Sequence, residues 1–361
     1  MISLRPLTYR LGLLLGLGSG EMAAAAEEQW QIAPGETRAV PPVIILPGQA
    51  ERVTRTEFTT LPLLMKSLDG DPAEAIGPTM AYRLTDVDVV DGVVYSHGVS
   101  LHLRERRHRM SLGALEGLER GALYESWVGN RWFGNWLLDD CLTYRLAETQ
   151  GAPVTTMPVR GGHVPRYEEL LDIHQRRITD AHFDELVVFD DHANNGHRLA
   201  RAQDMRQRLI GHLPPAPEPG VFLLRGRSGD QRVLENELEI AGRLEREHGF
   251  RVLFAEDHSV DEIMAACAGV GIVAGVEGSQ LNHGIAAMRP GGTLLTLQPP
   301  DRATTAMKLL TDRWQQRFAM VVGQGQAGAF RVPWNDVART LDLIESDNRK
   351  SRLNRQVEIF V

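Results

Sequence analysis

Residues 221–299 read VFLLRGRSGDQRVLENELEIAGRLEREHGFRVLFAEDHSVDEIMAACAGVGIVAGVEGSQLNHGIAAMRPGGTLLTLQP, and the alternation inside this stretch decides the fold. Short apolar runs at 221–224, 251–254, 271–274 and 293–297 alternate with segments of helical period. Strands separated by helix-length segments need crossover connections, which are right-handed and give a parallel sheet. In such sheets ligands bind outside the carboxyl ends of the strands. The polar residues gather there: Arg225 and Arg227 after the first run, Glu256 to Ser259 after the second, Glu277 to Asn282 after the third. Solubility alone does not account for that placement.

The chemistry of these ends points to an anion. Arg225, Arg227 and Arg232 flank a flexible Gly-Asp turn, and Asn236-Glu237 opens the following helix. Guanidinium forks bind phosphate through paired hydrogen bonds. Taken alone, the arginines read more simply as a solvated basic loop paired to Asp230 and Glu235. Gly278-Ser279 changes that balance, because small residues between a strand and a helix let a ligand approach backbone amides. The expected donor-binding set is Arg225, Arg232, Asn236, Glu237, Glu256, Ser259, Gly278, Ser279 and Asn282.

The order Arg225, Arg232, Asn236-Glu237, the 250–259 strand and loop, and then EGSQLNHGIAAMRPGGTLL resembles the C-terminal half of glycosyltransferase family 61. Upstream, FGNWLLDDCLTYRLAE (residues 133–148) is similar to that family's Gly-His-Trp-Leu-(Leu/Val)-Asp helix. The similarity spans roughly residues 95–300 and rests on the order and spacing of the motifs together. Asn135 stands where many members carry His. The resemblance implies two Rossmann-like α/β domains facing a cleft, the GT-B architecture. It further implies transfer of a sugar, with inversion, from a nucleotide diphosphate sugar to a hydroxyl of a glycan or glycolipid acceptor.

Composition narrows the class. The chain has 361 residues, long enough for two domains that each bury a core. A formal net charge of −8 argues against a dedicated nucleic-acid binder. Cys141 and Cys267 are too far apart and too few for a metal site or a disulfide framework, in keeping with a reducing compartment. At the N-terminus Arg5 and Arg10 precede an apolar run, 11–17, that is too short to span a bilayer. A leader or surface helix is expected there in preference to a cleaved signal peptide. The expected location is cytoplasmic, with association at the inner face of the membrane left open.

Elsewhere the chain alternates strand and helix signals. Tyr82–Val90 and 93–103 are β-rich and separated by Asp91-Gly92, a hairpin signal. The basic run RERRHR (104–109) reads as a solvated strand end. A helix is expected at 127–148, with Asp139 and Asp140 at its middle; neighbouring helical positions point about 100° apart, so at most one faces a cleft squarely. A helix that keeps both carboxylates wet is the plain alternative. His174, His182, His192 and His197 match no compact zinc spacing. Arg198–Leu213 reads as an arginine-rich helix, and the Pro/Gly stretch 214–220 as a linker. The expected organisation is a leader at 1–29, an acceptor-side domain at 30–213, a linker at 214–220, a nucleotide-sugar domain at 221–345 and a tail at 346–361.

Transfer to a hydroxyl needs a stabilised leaving diphosphate and a base. The candidate catalytic residues are Asp139, then Asp140, Glu277 and His283. No metal ligand or cofactor is expected, since Asp86-Val87-Asp88 lies in the hairpin, far from the donor half. UDP-sugar is the expected donor class. Two other readings stand beside this one: a non-catalytic nucleotide-sugar-binding protein of the same fold, and an NAD-dependent oxidoreductase. The second is weakened because Gly269-Val270-Gly271 precedes its strand instead of following it.

Overall fold

A computed structural model of the chain describes residues 2–16, 21–106, 114–225 and 232–359. It is mixed α/β and divides into two compact units. The first comprises Met1–Glu36 and Ile76–Met205, the second Thr37–Ala75 and Arg206–Val361. Residues 37–75, assigned on sequence to the first domain, therefore group with the second. The later boundary falls between Met205 and Arg206, upstream of the Pro/Gly stretch. Arg227, Asp230 and residues 107–109 of the basic run lie outside the described residues.

The first unit is built on an eight-stranded sheet. Its strands are β1 (Glu28–Ala33), β2 (Thr79–Val90), β3 (Val93–Ser96), β4 (Val99–His102), β5 (Glu116–Leu123), β6 (Pro153–Thr155), β7 (Arg176–Arg177) and β8 (Ala181–Asp190). The spatial order is β4-β3-β2-β8-β5-β6-β7, with β1 also on β2. β8 runs antiparallel to β2 but parallel to β5. The sheet is thus mixed, a departure from the all-parallel sheet of a Rossmann-like domain. One antiparallel pairing has a local cause: Asp91 and Gly92 both take positive φ (46° and 72°), the backbone of a tight hairpin turn, and fold β3 back on β2. His97 and Gly98 repeat the device at 44° and 80°, dividing the run expected at 93–103 into β3 and β4. Leu84, Val87, Val89, Val94, Phe183, Leu186 and Val188 form its core.

The second unit carries a five-stranded sheet, β9 (Gly220–Leu224), β10 (Arg251–Phe254), β11 (Ile272–Val276), β12 (Thr293–Gln298) and β13 (Arg317–Val322). Every pairing is parallel, in the order β10-β9-β11-β12-β13. This is what the alternating apolar runs of 221–299 predict. The strands are short and mostly apolar, and the central ones are buried on both faces, as crossover helices require. The helices Glu237–His248 and Trp334–Ile359 contribute Ile240, Leu244, Val337, Leu341 and Ile344 to the core under Phe222, Leu295 and Val321. Ile44 forms one parallel bridge beside Ala319, on the outer edge of β13. The tail expected from 346 continues the last helix to Ile359.

No helix among the described residues is long and apolar enough to cross a membrane.

Candidate functional site

The chain leaves β9 and returns to the sheet on one side as β10 and on the other as β11. Between β9 and β11 lies the point where the winding reverses, the crevice in which doubly wound sheets bind ligands. Arg225 directly follows β9 and Glu277 directly follows β11. Arg225 donates through its guanidinium to the Gln280 side chain (3.0 Å) and the Glu277 carbonyl (3.4 Å). Its backbone N–H donates to Glu237 (2.8 Å).

A second layer of charge surrounds the Glu277 carboxylate. Arg232 approaches it at 2.9 Å and Arg302 at 3.5 Å, and all three side chains are buried. Arg302 also lies 3.8 Å from Glu57. Burying a guanidinium is costly unless it is paired, and Glu277 provides that pairing for two. With Arg225 alongside, three guanidiniums gather at the strand ends. The donors of a guanidinium fork are suited to a phosphate.

Gly278 is explained by the same geometry. A Cβ there would fall within the Arg225 guanidinium and against the Gln280 side chain. Both are ends of flexible side chains, so a larger residue displaces them without breaking backbone contacts. Gly278→Val is expected to remain folded within about 1 kcal/mol of wild type while shifting Arg225 and weakening binding of a diphosphate ligand. Urea unfolding together with calorimetric titration of UDP checks this. Unfolding at room temperature would show instead that the glycine serves packing.

Glu237 is largely buried, and burial raises its carboxyl from 4.5 to about 7 despite the N–H and charge of Arg225. Because the folded value lies above the unfolded one, its stabilising contribution is complete below the ordinary carboxylate range. It is lost as pH rises through about 7. Glu237→Gln is expected to remove roughly 3 kcal/mol of pH-dependent stability between about pH 4 and 8, measured by urea unfolding. A variant with the same pH slope as wild type would dissociate Glu237 from this titration.

The other expected donor residues are placed differently. The Asn236 side chain donates to the Val332 carbonyl (2.9 Å) and accepts from its N–H (3.2 Å), pinning two backbone segments together. Ser259 caps the helix Val260–Cys267 in a reciprocal box with Glu262. Glu256 is exposed in the turn after β10. Asn282 donates to the Ser279 carbonyl (3.1 Å) and is buried. The helix that starts at Leu281 ends at Ala287 and is buried along its whole length, His283 included. The structure therefore brings Arg225, Arg232, Glu237, Glu277 and Gly278 together, and gives Asn236 and Ser259 backbone partners elsewhere, at Val332 and Glu262. Gln280 and Arg302 were not singled out on sequence. Arg302 follows β12 by four residues, in Pro-Pro-Asp-Arg, and its place just past a strand end was the available signal.

In the first unit, 127–148 is not one regular helix. It breaks into Trp127–Arg131, Phe133–Asn135, a wider π turn at Trp136–Asp140, and the helix Cys141–Gln150. Both aspartates of the π turn are buried, so the solvated helix does not describe them. Asp139 accepts from Arg198 (2.8 Å) and from Asn135 (2.8 Å). Arg198 is 1% exposed and also lies 3.2 Å from Asp191. Asp191 in turn accepts both arms of Arg201 (2.7 Å each) and the Thr143 hydroxyl (2.9 Å). Burial alone would raise the Asp191 carboxyl, but the Arg201 hydrogen bonds and the two guanidinium charges hold it at about 2. Asp140 accepts from the Ser126 hydroxyl (2.7 Å) and backbone N–H (3.2 Å). Complete burial nonetheless pushes its carboxyl well above the usual range. A Cβ at Gly129 would fall on this carboxyl, which accounts for the glycine. Asn135, standing where the resembling family often has His, orients Asp139.

A family model described as Glycosyltransferase 61 matches residues 41–295. Among curated proteins none matches the chain.

Proposed function

Because the chain belongs to glycosyltransferase family 61, we propose that its second unit binds the diphosphate of a nucleotide sugar at the ends of β9, β11 and β12. A glycosyltransferase uses a sugar donor and a glycan acceptor, and the first unit is assigned here to the acceptor, in the manner of a GT-B enzyme. The observation that carries this reading is the buried Arg232–Glu277–Arg302 cluster beside Arg225, at the winding reversal of a parallel sheet. Arginines held rigid by Glu277 stabilise the departing diphosphate as its charge develops, without reorganising at the moment of reaction. UDP is the leaving nucleotide in this proposal, and inversion at the sugar carbon the outcome.

The four residues named above for catalysis are all buried, and two of them are in ion pairs. Asp139 and Glu277 accordingly hold arginines in place in this reading, and Asp140 and His283 belong to the packed interior. The guanidiniums supply the positive charge that a metal ion would otherwise provide. Thermal shift across UDP, GDP and their sugars tests the donor class, since ligand binding to the folded state raises its stability by mass action. UDP is expected to raise the melting temperature, and UDP-sugar turnover to survive EDTA. No shift with any nucleotide diphosphate would remove the donor assignment. Activity lost to EDTA and restored by manganese would overturn metal independence.

A further inference from the structure

We infer that Phe58 is the stacking wall for the nucleobase of the donor, a role that rests on the diphosphate site proposed for Arg232, Arg302 and Glu277. Phe58 has φ +64°, in the left-handed region that a bulky residue rarely occupies. It is also 55% exposed, well outside the packed core. Backbone strain of this kind persists only where the surroundings enforce it, and it gathers at ligand clamps.

The surroundings here are specific. Residues 54–57 run beside 300–303: Thr54 N–H donates to the Pro300 carbonyl (2.8 Å), Ala303 N–H to that of Arg55 (3.1 Å), and Glu57 N–H to that of Ala303 (2.9 Å). The Thr56 hydroxyl closes the turn on the Thr59 carbonyl (2.6 Å). This ladder fixes Phe58 next to Arg302, whose guanidinium carbon lies 5.7 Å from the ring centroid. Arg302 in turn is held by Glu277, which also holds Arg232. The ring is thus one guanidinium away from the charge cluster, backed by a cation and still open to solvent. A flat π-surface beside diphosphate-binding arginines matches a nucleotide, whose base offers a π-face and whose phosphates carry the charge.

The test uses the full chain, with UDP and inorganic pyrophosphate as probes in calorimetric titrations. Phe58→Gly is expected to bind UDP about tenfold more weakly than wild type, and pyrophosphate equally well. Glycine accepts positive φ without strain, so the variant is expected to melt no lower than wild type. Phe58→Trp is expected to keep wild-type UDP affinity. Equal UDP affinity for Phe58→Gly and wild type overturns the inference while leaving the diphosphate site standing, and so does a variant that weakens UDP and pyrophosphate alike. Unchanged UDP binding with slower use of a UDP-sugar would place the ring against the sugar and also overturn it. Failure of the wild-type chain to bind either probe would remove the diphosphate site itself.

Discussion

Arg198→Met is expected to destabilise the chain by about 3–5 kcal/mol, close to the whole stability of many domains. The guanidinium is buried between Asp139 (2.8 Å) and Asp191 (3.2 Å), and its removal leaves the buried Asp139 carboxylate short of a counter-charge. Asp191 keeps both arms of Arg201, whereas Asp139 loses its ion pair and keeps the neutral Asn135 amide. Urea unfolding with an unchanged slope would report the loss as stability proper. Asp139→Asn removes the other end of the same pair, and the two changes together are expected to cost less than their sum. This pairing separates the two roles considered for Asp139. A positioning carboxylate loses stability with Arg198 dependence, whereas a general base loses turnover by roughly a hundredfold at unchanged stability. Wild-type stability in Arg198→Met would show the buried network to be dispensable.

Arg232→Ala is expected to weaken UDP binding by roughly 10- to 150-fold, the worth of a charge-assisted hydrogen bond of about 1.5–3 kcal/mol. Glu277 retains Arg302 at 3.5 Å in this variant, so its carboxylate stays paired and the fold is expected to survive. Arg225→Ala removes the contacts to Gln280 and the Glu277 carbonyl and is expected to act in the same direction. Titration of UDP into each folded variant is the measurement. An Arg232→Ala protein with wild-type UDP affinity would mean that this guanidinium serves Glu277 alone and that the diphosphate lies elsewhere.

Much of the second unit was legible in the sequence because the signals were local. The runs at 221–224, 251–254 and 293–297 are short, apolar and separated by helical lengths, and they became β9, β10 and β12 nearly to the residue. Asp91-Gly92 encoded its turn because the required positive φ is cheap for those two residue types. His97-Gly98 encodes a second turn by the same means, hidden in the sequence by the apolar alternation that continues across it. The regular helix expected at 127–148 gave way to a π turn in which Asp139 is buried against Arg198 and Asp140 against Ser126. Helical period carries no information about those distant partners.

By itself, then, the sequence determined the parallel sheet of 221–299, the gathering of arginines and small residues at its strand ends, and the motif order of the family. Only the tertiary structure decided which of those residues meet. Glu277 clamps Arg232 and Arg302 across separations of 45 and 25 residues. Arg198 reaches Asp139 across 59, and Glu57 and Phe58 arrive beside Arg302 from a segment more than two hundred residues upstream. Periodicity and turn chemistry depend on neighbours within a few residues, so a linear reading recovers them. A buried ion pair depends on the path of the whole chain and on the need to neutralise each charge removed from water, and that need is met only once the fold has formed.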